Sequence, residues 1–174
     1  MNITALLVSV GALLVSGAAS YRQLKLAGHA NTLPVLVELF REHRSDHLAQ
    51  ARWFVHQQLP GRDVSEGLQS LTPDELKLVR DLAWFYDNLG ALVAHEIVDI
   101  GPVSGYLGGS VISTWECMEP LVTAHRARRS AAGLDQGADW QGYYENLYHL
   151  VRRHPPATVR DRLARWTLSG NTGP

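Results

Sequence analysis

The sequence predicts an all-α protein in which one N-terminal transmembrane helix precedes an irregular bundle of about five to seven helices. Three observations support this fold class. Residues 3–20 carry no charge, apolar residues beyond residue 31 recur at helical spacing, and no stretch alternates apolar and polar residues over the length of a strand. We therefore expect a transmembrane helix with a short stalk over residues 1–31, a helical domain over residues 32–168 and a flexible tail over residues 169–174.

The uncharged N-terminal segment indicates a membrane anchor. As a helix, residues 3–20 would span about 27 Å, close to the roughly 30 Å of a hydrocarbon core. Tyr21 suits the membrane interface, and Arg22 and Lys25 flank only the C-terminal side. These charges predict a single-pass protein of the cell membrane whose soluble domain faces the cytoplasm. The alternative is a cleaved signal peptide with its small residues at 16–19, although no Lys or Arg precedes the apolar run.

Small residues within the anchor recur every three or four positions and share one helical face. Such faces let membrane helices approach closely. We therefore expect self-association through this face, which consists of Ala5, Ser9, Ala12, Ser16 and Ala19.

Two helix starts are well marked in the first half of the soluble part. Ser45 is a helix cap, and the helix that follows is expected to run from Asp46 to about Gln58. Thr72 is also a cap, with Pro73 at the first helical position and Glu75 placed to close a capping box. The second helix is apolar over most of its girth and should run to about Ile97 as the centre of the core.

The second half is punctuated by Gly and Pro. Gly101-Pro102 is expected to break the chain, and Gly108-Gly109 to open a longer helix that Pro120 kinks. The predicted helices cover residues 110–129, 140–153 and 158–168. The aromatic side chains expected in the core are those of Trp53, Trp84, Phe85, Trp115, Tyr144 and Trp166.

Several packing-rich segments resemble one uncharacterised bacterial family, numbered 4760 among the domains of unknown function. The resemblance implies a membrane helix followed by a compact helical domain, and it brings no established active site. It rests on LPVLVELFREHRS (33–45), ARWFVHQQLP (51–60), LVRDLAWFYDNLGALVAHEIVD (78–99), PVSGYLGGSVISTWECMEP (102–120) and YYENLYHLVRRHPP (143–156).

A polar stripe follows the predicted central helix. Asp81, Trp84, Asn88 and His95 fall nearly on one face. Polar groups on a largely buried helix need partners, because an unpaired buried polar group costs about 1–3 kcal/mol. The stripe fixes the packing, lines a ligand pocket or is simply exposed to solvent. The other candidate members of this network are Glu116, Glu119 and Arg126.

No metal site and no cofactor are expected. Cys117 is the only cysteine, so neither a thiolate cluster nor an internal disulfide can form. His43 and His47 have ligand spacing, but the helix cap at Ser45 separates them. A mixed site at His95 would depend on carboxylates from other helices.

The composition narrows the possible functions. The formal net charge is −1 and no recognition motif is present, so we expect no nucleic-acid partner. No catalytic constellation stands out, which favours a membrane-anchored protein-interaction or scaffold module over an enzyme. The alternative is a small-ligand sensor or hydrolase that uses the polar stripe.

Overall fold

The computed structural model describes residues 12–13, 15–17, 32–134 and 139–155, and over these residues it contains helices and no strand. The chain divides into two compact units, Met1–Phe40 and Arg41–Pro174. In the first unit, residues 12–13, 15–17 and 32–40 are helical. The described part of the second unit contains α1 (Asp46–Gln57), a 3₁₀ helix (Gly67–Ser70), α2 (Pro73–Ala94), α3 (Ile100–Ala131) and α4 (Gly142–Arg153).

The all-α prediction is confirmed over the described residues, whereas most of the predicted anchor lies outside them. Within the described segments, no helix has both the length and the apolar character needed to span a bilayer. Of residues 3–20, only 12–13 and 15–17 are described. Tyr21, Arg22, Lys25, the expected helix at 158–168 and the tail at 169–174 fall outside the description altogether, so these stay predictions.

The helix caps expected from the sequence are present. The Ser45 hydroxyl accepts a hydrogen bond from the Leu48 amide at 3.3 Å. Thr72 and Glu75 close the predicted capping box, in which the Glu75 carboxylate accepts from the Thr72 amide at 3.0 Å. The central helix ends at Ala94, three residues before its expected end, because Glu96 adopts a left-handed backbone conformation (φ 57°) that ends the helix.

The expected break before residue 110 is wrong, because α3 is one continuous helix of 32 residues. Asp99 caps it by accepting from the Gly101 amide at 2.7 Å. Pro102 is tolerated because it lies in the first turn, where backbone amides have no partner within the helix. Gly108 is buried, and its packing outweighs its low helix propensity. The helix also continues through Pro120; the kink expected there stays a prediction.

The core is built on stacked aromatic rings from three helices. Tyr86 of α2 and Tyr144 of α4 stack with their centroids 4.7 Å apart, and Trp115 of α3 meets Tyr144 edge-on at 4.9 Å. These rings and Phe85 are buried, as the sequence predicted for three of them: Phe85, Trp115 and Tyr144.

Two of the expected core aromatic residues face solvent instead. Trp53 is 57% exposed and Trp84 is 51% exposed. On α1 the buried residues are Leu48, Ala51, Phe54 and Val55, and Trp53 points away from them. Trp84 shares its side of α2 with the exposed Asn88 and the partly buried Asp81. Trp166 lies outside the described residues.

The contact between α2 and α4 depends on Gly90. A Cβ at residue 90 would lie 2.6 Å from the carbonyl carbon of Tyr143 and closer still to its oxygen. At the same crossing, the Asp87 carboxylate of α2 accepts a hydrogen bond from the Tyr144 amide at 3.0 Å. Since Gln141 caps α4 without a side-chain hydrogen bond, Asp87 supplies this cap from a neighbouring helix.

This crossing predicts opposite effects for two helix glycines. Gly90→Ala should lower the free energy of unfolding by about 1–3 kcal/mol, because the new methyl group collides with backbone atoms. Gly109→Ala, where a Cβ meets nothing within 4 Å, should raise it by about 0.5–1 kcal/mol through helix propensity. Urea unfolding of the full-length chain in a nonionic detergent measures both. A Gly90→Ala variant as stable as the wild type would contradict the close crossing.

Candidate functional site

The polar stripe on α2 lies on a solvent-facing side of the helix. Asp81 accepts hydrogen bonds from His47 Nε2 at 2.8 Å and from Lys77 Nζ at 3.2 Å. Partial burial opposes ionisation of Asp81, but these two hydrogen bonds outweigh it and lower the pKa of the carboxyl group. The Arg80 guanidinium lies over the Trp84 ring, 5.1 Å from its centroid. Asn88 is exposed.

The other candidates from the sequence are not gathered around this stripe. His95 caps the end of α2, and its Nε2 is hydrogen-bonded to the Tyr143 hydroxyl at 3.2 Å. Glu116 and Glu119 are exposed on α3. Arg126 donates to the Glu145 carboxylate at 2.7 Å and to the Trp140 carbonyl at 2.8 Å. None of these seven residues lines the cavities that described residues enclose on the surface.

The structure instead brings a different set of polar side chains together where α1, α2 and α3 meet. We call this set the interhelical polar cluster. His43 precedes the Ser45 cap, while the other members lie on the helices at spacings of three or four residues. The members are His43, Arg52, His56, Tyr86, Ser110, Thr114 and Cys117.

One half of the cluster is centred on Ser110. Its hydroxyl is hydrogen-bonded to His43 Nε2 at 3.1 Å and shares a hydrogen bond with the Tyr86 hydroxyl at 2.6 Å. Tyr86 and His43 are themselves 3.3 Å apart between hydroxyl and Nε2. Arg52 donates to the His43 carbonyl at 2.6 Å, so a guanidinium lies beside this triangle.

The other half is centred on His56. Its Nε2 is hydrogen-bonded to the Thr114 hydroxyl at 3.2 Å, and its Nδ1 lies 3.6 Å from the Cys117 sulfur. Thr114 is fully buried, so His56 supplies a partner that this hydroxyl needs. Thr114 and Cys117 therefore hold both nitrogens of one imidazole.

Burial keeps the histidines, the tyrosine and the cysteine of the cluster uncharged, whereas Arg52 is a cation. Burial, with a smaller contribution from the nearby Arg52 charge, lowers the pKa of His43 to about 4. The same two causes, in the same order, lower the pKa of His56. Burial raises the pKa of the Tyr86 hydroxyl. Burial, reinforced by Glu116, raises the pKa of the Cys117 thiol. At neutral pH the cluster is thus a set of neutral hydrogen-bonding groups beside one cation.

These protonation states do not activate a nucleophile. Both Ser110 and Cys117 contact an imidazole, as nucleophiles do in hydrolases. However, a histidine with a pKa near 4 is a weak base, and a thiol with a raised pKa supplies little thiolate. Both residues also lie within α3, where backbone amides bond to helix carbonyls and cannot stabilise an oxyanion. The geometry therefore favours recognition or packing over covalent catalysis.

A family model for a domain of unknown function, DUF4760, matches residues 5–154. The chain belongs to this family. No match was found among curated proteins or among solved structures. The family resemblance predicted from the packing-rich segments is confirmed, and DUF4760 membership assigns no activity to any residue.

The metal-ligand candidates from the sequence lie apart in the part of this DUF4760 chain that the structure describes. No three His, Cys, Asp or Glu side chains there come close enough together to hold a metal ion. His43 and His47 point to different partners, Ser110 and Asp81. Cys117 and His56 form a pair without a third ligand.

The cluster was not visible from the sequence because each of its histidines lies more than fifty residues from its partners on α3. Ser110, Thr114 and Cys117 occupy one face of α3, which is a detectable signal once that helix is known to be continuous. The expected break at residues 101–109 placed Ser110 at a helix start and hid this face. The pairing with His43 and His56 depends on how α1 packs against α3.

The lowered pKa of His43 predicts a pH-dependent stability. An unfolded histidine titrates near 6.5, so between about pH 6.5 and pH 4 the unfolded state binds more protons and stability falls as the pH falls. His43→Gln keeps a hydrogen-bonding group without this titration. Between pH 7 and pH 4, the free energy of unfolding of the variant should fall by about 1–2 kcal/mol less than that of the wild type, after allowance for solvent screening. Urea unfolding across this range tests it, and equal losses would contradict it.

Proposed function

We propose that this protein is a membrane-anchored helical module that faces the cytoplasm and binds a protein partner, including a second copy of itself. One observation carries the proposal: α2, whose inner side forms the core, presents a half-exposed Trp84 with an arginine stacked on it. Trp and Arg are the residues most enriched at the energetic centres of protein interfaces. An exposed indole gains from burial against a partner.

The surroundings of Trp84 support a binding role for this side of α2. Arg80 is held over the indole, and Asp81 is held by His47 and Lys77, so polar groups in fixed positions border the ring. Interfaces combine an apolar centre with such a polar rim. The alternative of a sensor or hydrolase built on this stripe has less support, because Asp81 and His95 are hydrogen-bonded to neighbours and the stripe lines no cavity among the described residues.

The anchor rests on the sequence of residues 3–20 and on the charges of Arg22 and Lys25. Leu13 and Val15 lie in a helical conformation and are 73% and 72% exposed, which supports an apolar environment around this segment. Ala12 and Ser16 belong to the small-residue face through which we propose that two anchors associate.

The Trp84 surface predicts a position-dependent crosslink. A photoreactive amino acid at Asn88, one turn from Trp84, should form a protein adduct in membranes, and the same label at the exposed Glu119 of α3 should not. Trp84→Ala should reduce the Asn88 adduct about thirtyfold, since a central interface Trp contributes about 2 kcal/mol. Two differently tagged copies distinguish self-association from another partner. Equal adducts at both positions, or an adduct insensitive to Trp84→Ala, would contradict the proposal.

The anchor predicts a defined topology. A reporter fused after Pro174 should be active only in a cytoplasmic form, because Arg22 and Lys25 retain their side of the helix there. Adding lysines before Ile3 while replacing Arg22 and Lys25 with Asn should invert this preference. Activity of a secreted-type reporter in the wild type, or a mature chain that begins near Ser20, would refute the anchor and favour a cleaved signal peptide.

A further inference from the structure

A surface cavity of about 620 Å³ shares no residue with the interhelical polar cluster and meets the Trp84 surface only at Arg80. The 3₁₀ helix, the start of α2 and the end of α3 form its walls, and Trp140 closes one side. Its size is within the usual range of small-molecule sites. Gly67 sets its shape: with φ at +59°, it packs so closely on α3 that a Cβ there would lie 2.7 Å from the Cα of His125.

One wall of this cavity is cationic, and its charge is not neutralised by the described residues. The Arg129 Nε and the His125 Nδ1 are both buried and have no hydrogen-bond partner among them. The adjacent arginines differ: Arg128 bonds to Glu66 and Gln69, and Arg126 bonds to Glu145. Because Arg129 lines the cavity and has no acceptor among the described residues, its guanidinium is available to an anion that enters the cavity.

The remaining lining is mostly apolar and aromatic, with Gln69 and Arg80 as its polar members. Leu68, Leu71 and Leu76 line the cavity, and the Trp140 ring meets the His125 ring edge-on with centroids 4.8 Å apart. Trp140 is held in place because its carbonyl accepts a hydrogen bond from Arg126 at 2.8 Å. These surfaces would accommodate a flat or branched apolar group attached to an anion that binds at Arg129.

We propose that this cavity binds a small organic anion, in which a phosphate or carboxylate group is joined to an aromatic or branched apolar body. Arg129 takes the anionic group, His125 adds a hydrogen bond, and Trp140 with the leucines takes the apolar body. This site borders the proposed protein-binding surface at Arg80, which lines the cavity and stacks on Trp84. It uses no residue of the α2 stripe.

The test is a titration of the full-length, ¹⁵N-labelled chain in a nonionic detergent. The probes are phenyl phosphate and phenylacetate, with benzyl alcohol as the uncharged control and inorganic phosphate as the anion without a body. Each is added to about 10 mM, where a ligand with a Kd near 1 mM would approach saturation. We expect the indole signal of Trp140, assigned with Trp140→Phe, to shift with one or both organic anions and to respond weakly to both controls.

Two arginine variants separate binding from folding. Arg129→Gln should weaken binding of the organic anion about tenfold or more. Arg153→Gln makes the same charge change at the far end of α4 and should leave the affinity within about twofold. Because Arg129 has no described partner, its variant should melt at or above the wild-type temperature without ligand. A lower melting temperature would instead assign Arg129 a structural role and overturn the proposal.

The pattern of responses decides the remaining alternatives. A response to phenyl phosphate alone, or to phenylacetate alone, supports the proposal and identifies the anionic group. Equal binding of benzyl alcohol, equal binding of inorganic phosphate, or no shift with either organic anion would each overturn it. So would an unchanged affinity in Arg129→Gln.

Discussion

The close crossing of α2 and α4 organises the second unit. Gly90 removes the side chain that would keep the two backbones apart, and Asp87 caps α4 one turn earlier on the same helix. The Tyr86 ring of α2 and the Tyr144 ring of α4 can stack only because the two helices approach this closely. A backbone contact, a tertiary helix cap and the central aromatic pair therefore share a single register of α2 against α4.

That register also determines where the polar groups of the interior go. Stacking places the Tyr86 hydroxyl against Ser110 and directs the Tyr144 hydroxyl to the Val111 carbonyl at 3.2 Å. His43, which precedes the α1 cap, and His56 of α1 then complete the pairing along α3. Because every buried polar group needs a partner, this network selects one arrangement of α1, α2 and α3 over others that would bury similar apolar area.

The same packing separates three kinds of surface in the described residues. The interhelical polar cluster consists of neutral groups that hydrogen-bond to one another beside the Arg52 cation, so it stabilises one packing. The outer side of α2 presents an indole bordered by fixed polar groups. The cavity between the 3₁₀ helix and α3 combines an unneutralised guanidinium with apolar walls. Recognition, in our proposals, belongs to the two surfaces where side chains remain available to a partner or a ligand.

The sequence by itself determined the helical class, the family, and the ends of helices that local chemistry marks, such as Ser45 and the Thr72–Glu75 capping box. These features involve residues within one turn of each other, so spacing and side-chain type are sufficient. It did not predict that α3 runs through Gly101, Pro102 and Gly108, since the first turn tolerates Pro102 and burial of Gly108 outweighs its weak helix propensity. Only the tertiary structure decided that Trp84 faces solvent, that His56 meets Cys117 and that Arg129 lacks an acceptor. Those outcomes depend on contacts between residues far apart in the chain, and no local pattern encodes which faces of two helices will meet.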